Sequence, residues 1–227
     1  MNPSYPSELL EAIGPSIDWK YEMRREAQEV LPSVFVGPYQ ASKDLNALTS
    51  SSITHICCIS ENRESHLLKP RFPRQFQYCV LDIRDATDQN LISIFPEALR
   101  FINGCVNSGG KVLVHCGDGL SRSPAVATAY AMSRYKMTSE DAFQFIQSRR
   151  FCASPNLGFL RQLDAYDFIC QAERSFPNSI PDSNDLRRKR SDSIDEIHNS
   201  TLGQPSRQTQ IDPDAHQRVP AWGGVNR

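Results

Sequence analysis

The chain has 227 residues, of which 39% are hydrophobic, and its formal net charge at pH 7 is -1. This length suffices for one packed domain of roughly 150 to 200 residues with a tail. The near-zero charge provides no field to hold nucleic acid or an acidic membrane surface, and no apolar run approaches the roughly 20 residues that span a bilayer. We therefore expect neither kind of partner.

The N-terminus and the cysteines indicate an intracellular protein. The opening residues, MNPSYPSELLEAI, lack the basic start and apolar core of a secretory signal. The seven cysteines include no Cys-x-x-Cys pair and no His/Cys cluster with zinc spacing. We therefore expect a cytoplasmic or nuclear protein that keeps free thiols and uses neither a metal ion nor another cofactor.

Apolar residues recur along the chain with the spacing of alternating strands and helices. Residues 1–20 predict a loose arm with one short helix at 8–13. Short β-branched runs predict strands at 34–36, 53–59, 78–83 and 112–114. Helical spacing predicts a short helix from residue 21 and further helices at 43–48 (capped by Ser42), 91–106, 124–135, 139–149 and 156–173. This order favours an α/β domain over 21–175, with a compact, mainly parallel sheet flanked by helices on both faces.

The composition changes after Phe176, where Pro, Ser, Asn, Gln and Arg replace the periodic apolar residues. Such a composition predicts a disordered tail over 176–227. Within it, the basic run RRKR at 187–190 directly precedes Ser191. The run suits a nuclear import signal or a basophilic kinase site at Ser191, and equally suits plain solvated charge, which is the commoner case.

Residues 111–124, KVLVHCGDGLSRSP, have the pattern of an anion-binding loop. An apolar strand runs into Cys116, and a glycine-containing loop then leads to Arg122 and an alanine-rich helix. A strand, a tight loop and a helix N-terminus together collect amide N–H groups around an anion. The cysteine adds a nucleophile and the arginine a bidentate clamp for oxygen atoms. We therefore expect the loop to take a phosphoryl group onto sulfur.

The residues of this loop divide into reacting, supporting and phosphate-binding groups. Cys116 must act as a thiolate, which loop amides, the helix N-terminus and Arg122 would stabilise. Ser123 can donate a hydrogen bond to sulfur and ease its departure from a phosphocysteine, while His115 is placed to hydrogen-bond near the cysteine backbone. The groups expected to hold the phosphoryl oxygens belong to Gly117, Asp118, Gly119, Leu120, Ser121 and Arg122.

A phosphate ester also needs a proton delivered to its leaving oxygen, and a carboxyl group is the usual source. Three aspartates, Asp82, Asp85 and Asp88, lie at or just after the strand predicted at 78–83. Strand ends of such sheets lie beside the binding crevice. Asp85, the first carboxylate past the apolar end, is our candidate acid, whereas Asp82 alternates within the strand and Asp88 is placed to cap the next helix. Alternatively, all three are ordinary turn residues.

The segment HCGDGLSRSP resembles the active loop of the cysteine-dependent dual-specificity protein phosphatases. SPNLGF at 154–159 is similar to the stretch that supports that loop in the same family, which implies a supporting role for Asn156. The resemblance covers about residues 28–172 and implies the compact fold and shallow pocket of that family. The loop departs from the commonest family pattern at Asp118, whose charge at the pocket rim opposes phosphate binding.

The sequence leaves three functions open. The first is a protein phosphatase that acts on phosphotyrosine, and on phosphoserine or phosphothreonine, through a phosphocysteine intermediate. The second rests on the segments ITHICCI and RRFCASPNLGF, which resemble non-catalytic members of the family that have glycine in place of the nucleophile. Such proteins bind phosphoproteins or their kinases. The third, a phosphatase of phosphoinositides or RNA ends, is disfavoured because the loop has no additional lysine.

Either of the first two functions implies similar partners. Phosphorylated proteins would bind at the loop, with mitogen-activated protein kinases among them. No internal repeat is visible in the chain, and we expect a monomer.

Overall fold

The computed structural model describes residues 5–14 and 17–175. The predicted tail over 176–227, with its basic run at 187–190 and Ser191, lies outside the described residues, and so does part of the arm predicted at 1–20. Everything that follows concerns the described residues.

A five-stranded sheet forms the centre of the domain. Its strands are β1 (Gln28–Leu31), β2 (Val34–Pro38), β3 (His55–Ser60), β4 (Gln77–Asp82) and β5 (Val112–Cys116). They lie in the order β1-β2-β5-β3-β4. The pairs β2–β5, β5–β3 and β3–β4 are parallel, while β1 and β2 are antiparallel. The predicted mainly parallel sheet is therefore confirmed.

Helices cover the two faces of the sheet unequally. They are α1 (Ser7–Ile13), α2 (Leu45–Ser50), α3 (Phe95–Asn107), α4 (Arg122–Tyr135), α5 (Ser139–Arg149) and α6 (Leu157–Ser175), with short 3₁₀ turns at Tyr21–Arg25, Ala41–Lys43, Asn62–Glu64 and Ile92–Ile94. Successive side chains of β5 point to opposite faces of the sheet. Val112 and Val114 belong to the large core on the face of the long helices, whereas Leu113 packs with Leu48 of α2 on the other face. None of the helices within the described ranges is long and apolar enough to cross a membrane.

Helix α4 is the innermost helix, as its apolar sequence predicted. All residues from Arg122 to Met132 are buried. It begins directly after the loop that leaves β5, and Pro124 occupies its first turn, where no intrahelical amide is lost. The loop at 117–121 is thus fixed at both ends by buried elements.

The strand β1 was not predicted from the sequence. Its residues are the last four of the segment MRREAQEVL, whose spacing also suits a helix. In the structure they pair with β2, with Gln28 opposite Val36, through a turn in which Ser33 has φ 66 and donates its N–H to Glu29 Oε1 at 2.9 Å. Pairing with a second strand decided the conformation, because local propensity for a strand is weak.

Two predicted helix caps are wrong. Helix α2 is capped by Asp44, which accepts the Ala47 N–H at 3.0 Å, whereas Ser42 lies in the preceding 3₁₀ turn. Asp88 does not cap α3 and instead forms an ion pair with Arg84 at 3.4 Å. In both cases the boundary of the helix lies a few residues beyond the point that the apolar spacing indicated.

Gly158 in the first turn of α6 packs against the segment that follows Asp85. A Cβ atom at Gly158 would lie 2.0 Å from the carbonyl oxygen of Thr87. We expect Gly158→Ala to lower the free energy of unfolding by about 1–3 kcal/mol, because backbone must move to admit the methyl group. Urea denaturation measures the change.

The matched control is Gly104→Ala in α3, where no atom lies within 4 Å of the added Cβ. Glycine is disfavoured inside a helix, so this change should raise the free energy of unfolding by about 0.5–1 kcal/mol. Equal stability of the Gly158→Ala protein and the unmodified chain would contradict the packing seen at Thr87.

Candidate active site

The site is built on residues 116–122, here called the anion loop, which join β5 to α4. Gly119 has φ 73, a left-handed conformation that favours glycine. A Cβ atom there would also lie 2.6 Å from the carbonyl carbon of Gly37 in β2. The loop can therefore pass this close to β2 only with glycine at this position.

Three carbonyl groups of the anion loop accept hydrogen bonds from outside the loop. The donor and acceptor pairs are Tyr39 N to Gly117 O at 3.1 Å, Arg150 Nε to Gly119 O at 3.0 Å and Ser154 N to Leu120 O at 2.7 Å. In a trans peptide the N–H points opposite to the C=O of the same peptide group. The amides of Asp118, Leu120 and Ser121 are therefore turned toward the inner side of the loop.

Arg150 is the buried centre of this support, and sequence reasoning missed it. Its side chain is fully buried. Besides Gly119 O, the guanidinium donates to Glu26 O and Arg24 O, each at 3.0 Å, and to the side chain of Gln28. It thus ties the anion loop to the segment that enters β1. Nothing in the sequence distinguishes this arginine from an exposed one.

Cys116 ends β5 and is buried at the base of the anion loop. Its Sγ lies 3.3 Å from Ser123 Oγ and 3.7 Å from Asp118 Oδ1. The hydroxyl of Ser123 is therefore within reach of the sulfur, where it can donate a hydrogen bond. The sequence placed these residues in one motif, and the structure places their side chains in contact.

The other cysteines within the described residues lie outside the anion loop. All are free thiols, and all except the partly buried Cys152 are buried. Burial raises the pKa of Cys58 to about 11, so this thiol stays protonated at neutral pH. In the part of the chain that the structure describes, no group of three or more His, Cys, Asp or Glu residues could hold a metal ion.

Arg122 is held by Glu64, a residue that the sequence did not single out. Arg122 Nη1 lies 2.5 Å from Glu64 Oε2, and Nη2 lies 3.2 Å from Oε1. Nη1 also donates to Ile83 O at 3.2 Å. The hydrogen bond from Arg122 is the main cause that lowers the pKa of Glu64. A bidentate pair of this kind fixes the plane of the guanidinium as well as its position.

The Nε–H group of Arg122 has no protein partner within the described domain. It is buried and donates to no hydrogen-bond acceptor among the residues described here. Nη2 lies 3.4 Å from the position of a Cβ atom on Gly117, so the guanidinium is beside the anion loop. A buried donor without a partner costs free energy unless a ligand or water satisfies it. This edge of Arg122 is therefore suited to an anion.

Asp85 lies at the rim of the anion loop. Its Oδ1 accepts hydrogen bonds from Ser121 Oγ at 2.7 Å and from Asn156 Nδ2 at 2.8 Å. Ser121 Oγ in turn accepts the Asn156 N–H at 3.1 Å. The other two aspartates considered point elsewhere, since Asp82 accepts the N–H of Asn62 and Asp88 pairs with an arginine. Asp85 is thus the one of the three that contacts the loop.

His115 lies under the loop and is buried. Its Nδ1 is 3.4 Å from the carbonyl oxygen of Cys116, to which the ring can donate. Burial lowers the pKa of His115 to about 4. The imidazole is therefore neutral at pH 7. It can hydrogen-bond to the cysteine backbone without adding a positive charge.

This chain is similar in sequence and structure to known proteins. The family described as "Dual specificity phosphatase, catalytic domain" matches residues 34–168. The serine/threonine/tyrosine-interacting protein of Mus musculus is 43% identical over 199 residues, 87% of this chain and 86% of that protein. Dual specificity protein phosphatase 1 of Arabidopsis thaliana is 37% identical over 143 residues, 63% of this chain and 70% of that protein.

A solved structure is similar as well. The crystal structure of human tyrosine phosphatase-like serine/threonine/tyrosine-interacting protein matches with a TM-score of 0.63 and 47% sequence identity. The match covers 64% of this chain and 97% of that chain. The described domain therefore has the same fold.

The buried imidazole of His115 predicts how stability depends on pH. Its pKa in the folded protein is about 4, against an ordinary value of 6.5, so the unfolded chain binds a proton more readily between these values. The contribution of His115 to the free energy of unfolding should therefore fall by about 3 kcal/mol as the pH drops from 6.5 to 4. The His115→Asn protein should lose this part of the pH slope in urea denaturation at a series of pH values.

His55 provides the control because burial lowers its pKa as well, but the side chain is only partly buried. His55→Asn should leave most of the slope in place. An unchanged slope in the His115→Asn protein would mean that the pKa of the ring is the same in the folded and unfolded chain, and would contradict the predicted lowering.

Proposed function

This chain belongs to the dual-specificity phosphatase family, and we propose that it is a cysteine-dependent protein phosphatase. Its substrates would be phosphotyrosine and phosphoserine or phosphothreonine in phosphorylated proteins. One observation carries the proposal: the sulfur of Cys116 lies at the base of the inward-facing loop amides and beside Ser123, and the Arg122 guanidinium lies beside the same loop at Gly117. Family membership supports the substrate class.

In the first step, the Cys116 thiolate attacks phosphorus and its electron pair forms the S–P bond. The P–O bond to the leaving group breaks, and the leaving oxygen takes a proton from the Asp85 carboxyl group. The inward amides of the anion loop and the Arg122 guanidinium hold the three remaining oxygens. These donors are already fixed by contacts to Glu64 and Arg150, so little reorganisation accompanies the reaction.

In the second step, water attacks the phosphocysteine and the Asp85 carboxylate accepts its proton. The S–P bond breaks, its electron pair returns to sulfur, and inorganic phosphate leaves. The Ser123 hydroxyl, 3.3 Å from Sγ, donates to the departing thiolate and stabilises its charge. Asp85 is again protonated, and the cycle needs no cofactor.

A binding module without turnover is the second function. The similarity to the serine/threonine/tyrosine-interacting protein extends over 87% of this chain, and an additional carboxylate, Asp118, lies 3.7 Å from the sulfur. The protein would then capture phosphorylated proteins, mitogen-activated protein kinases among them, as a monomer in the cytoplasm or nucleus. Both functions use the same anion site, and they differ in whether the sulfur reacts.

Turnover of a small aryl phosphate separates the two functions. We expect the full chain to hydrolyse it at mildly acidic pH with an initial burst, and Cys116→Ser to abolish both turnover and burst, because a serine hydroxyl is not ionised there. Cys170→Ser, a change in a buried thiol of α6, is the control and should retain activity. No turnover and no burst in the unmodified chain, with phosphopeptide binding intact, would instead establish the binding module.

Loss of the proton donor should affect the rate of the first step. Asp85→Asn is expected to lower kcat by about 10²- to 10⁴-fold for phosphotyrosine peptides, because general acid catalysis contributes that much. The decrease should be smaller for an aryl phosphate with an acidic leaving group, which leaves without a proton. Steady-state kinetics with both substrates gives the comparison.

Asp88→Asn is the matched control, since Asp88 lies three residues away and pairs with Arg84. Its rates should stay within about twofold of the unmodified chain. Equal effects of Asp85→Asn on both substrates would show that Asp85 only supports the loop through Ser121 and Asn156.

A further inference from the structure

The carboxylate of Asp118 occupies part of the anion site. Its Oδ1 accepts the Leu120 N–H at 3.0 Å and lies 3.7 Å from Cys116 Sγ. The Leu120 amide is one of the inward-facing donors of the anion loop. A phosphoryl group bound to sulfur would place an oxygen atom where this carboxylate oxygen now lies, so the two compete for the same donor.

Asp118 forms no ion pair with a cation of the described domain, although the charge of Arg150 acts on it through space. Among residues 5–14 and 17–175, the four ion pairs all join other side chains. Arg122 is bound to Glu64, and the buried Arg150 directs its donors to backbone carbonyls and Gln28. The charge of Asp118, only partly offset by Arg150, therefore adds to that of any phosphate or thiolate in the loop, and like charges at such distances repel.

Asp118 is exposed, so its side chain can turn outward when a phosphoryl group enters. Turned outward, the carboxylate lies at the rim of the site. There it would be close to the residues of a bound peptide that neighbour the phosphorylated side chain. A cationic residue there would pair with Asp118 and favour the outward position, whereas a neutral one would leave the carboxylate competing for the Leu120 amide.

We propose that Asp118 makes the site selective for phosphopeptides that carry Lys or Arg beside the phosphorylated residue. The inference rests on the proposed function, because it assumes that the anion loop binds the phosphoryl group. It adds a specificity-determining residue and names the substrate class.

Two peptides test the selectivity: a central phosphotyrosine flanked on both sides by two lysines, and the same peptide with alanines. Binding is measured by calorimetry to the full chain carrying Cys116→Ser, with Asp118 intact or changed to Asn. With Asp118 intact, the lysine peptide should bind about fivefold more tightly. With Asp118→Asn, the ratio should approach one because the alanine peptide gains affinity.

Asp88→Asn in the same background removes a different acid near the site. Asp88 lines an open groove of about 460 Å³ together with Thr87, Leu157 and Arg161, but is already paired with Arg84. Its change should leave the ratio at about fivefold. An equal fall of the ratio with Asp88→Asn would show that the general charge of the surface sets the preference, and would overturn the proposal.

Three further results would also overturn it. The first is a ratio of affinities that Asp118→Asn does not change, and the second is weaker binding of both peptides to the Asp118→Asn protein than to the protein with Asp118 intact. The third is no measurable binding of either peptide to either protein. Asp118→Ala is the second variant if Asp118→Asn fails to fold, as judged by thermal unfolding. Because the readout is binding, the selectivity can hold even where the unmodified chain shows no turnover. Conversely, turnover with an unchanged ratio would retain the phosphatase and reject the role of Asp118.

Discussion

The hydrogen bonds that draw the carbonyls of the anion loop outward are the constraint on which the site depends. A short loop of this kind, left to itself, could point its amides in several directions. Three donors from separate parts of the fold remove that choice, and one of them, Arg150, is a charged group with no exposure. Burying an arginine is costly unless its donors are satisfied. Here backbone carbonyls of two segments and the Gln28 side chain satisfy them, so the anion loop has this support only when those segments pack together.

A second constraint is the balance of charge around the sulfur. Arg122 supplies the positive charge, but Glu64 accepts two of its five N–H donors and Ile83 O accepts a third, while the Nε–H group has no protein partner among the described residues. Asp118 adds a negative charge directly beside Cys116. The site is therefore less positive than the loop sequence suggests, and under the proposed function an incoming phosphoryl group displaces a carboxylate. A site without this carboxylate would be a general phosphate site. With Asp118 present, under the proposed selectivity, the residues beside the phosphate group of a ligand determine its affinity.

Much of the fold could be predicted because its signals are local. Helix α5 has the predicted bounds, Ser139–Arg149, since its apolar face and its cap at Thr138 lie within one short segment. The parallel arrangement followed from the alternation of strands and helices. The caps at Ser42 and Asp88 were misplaced because several polar residues near each helix start can serve, and packing chooses among them. Strand β1 was missed since its conformation comes from pairing with β2.

The sequence by itself determined the anion loop and the order of its residues, because a strand, a glycine-containing turn and a helix start are encoded within about fifteen consecutive residues. It also identified Asp85 as the acid to examine. Only the tertiary structure decided which side chains meet this loop: Glu64 is 58 positions from Arg122, and Arg150 is 31 positions from Gly119. Contacts across such separations depend on how the sheet and helices pack, and no periodicity in the chain records them.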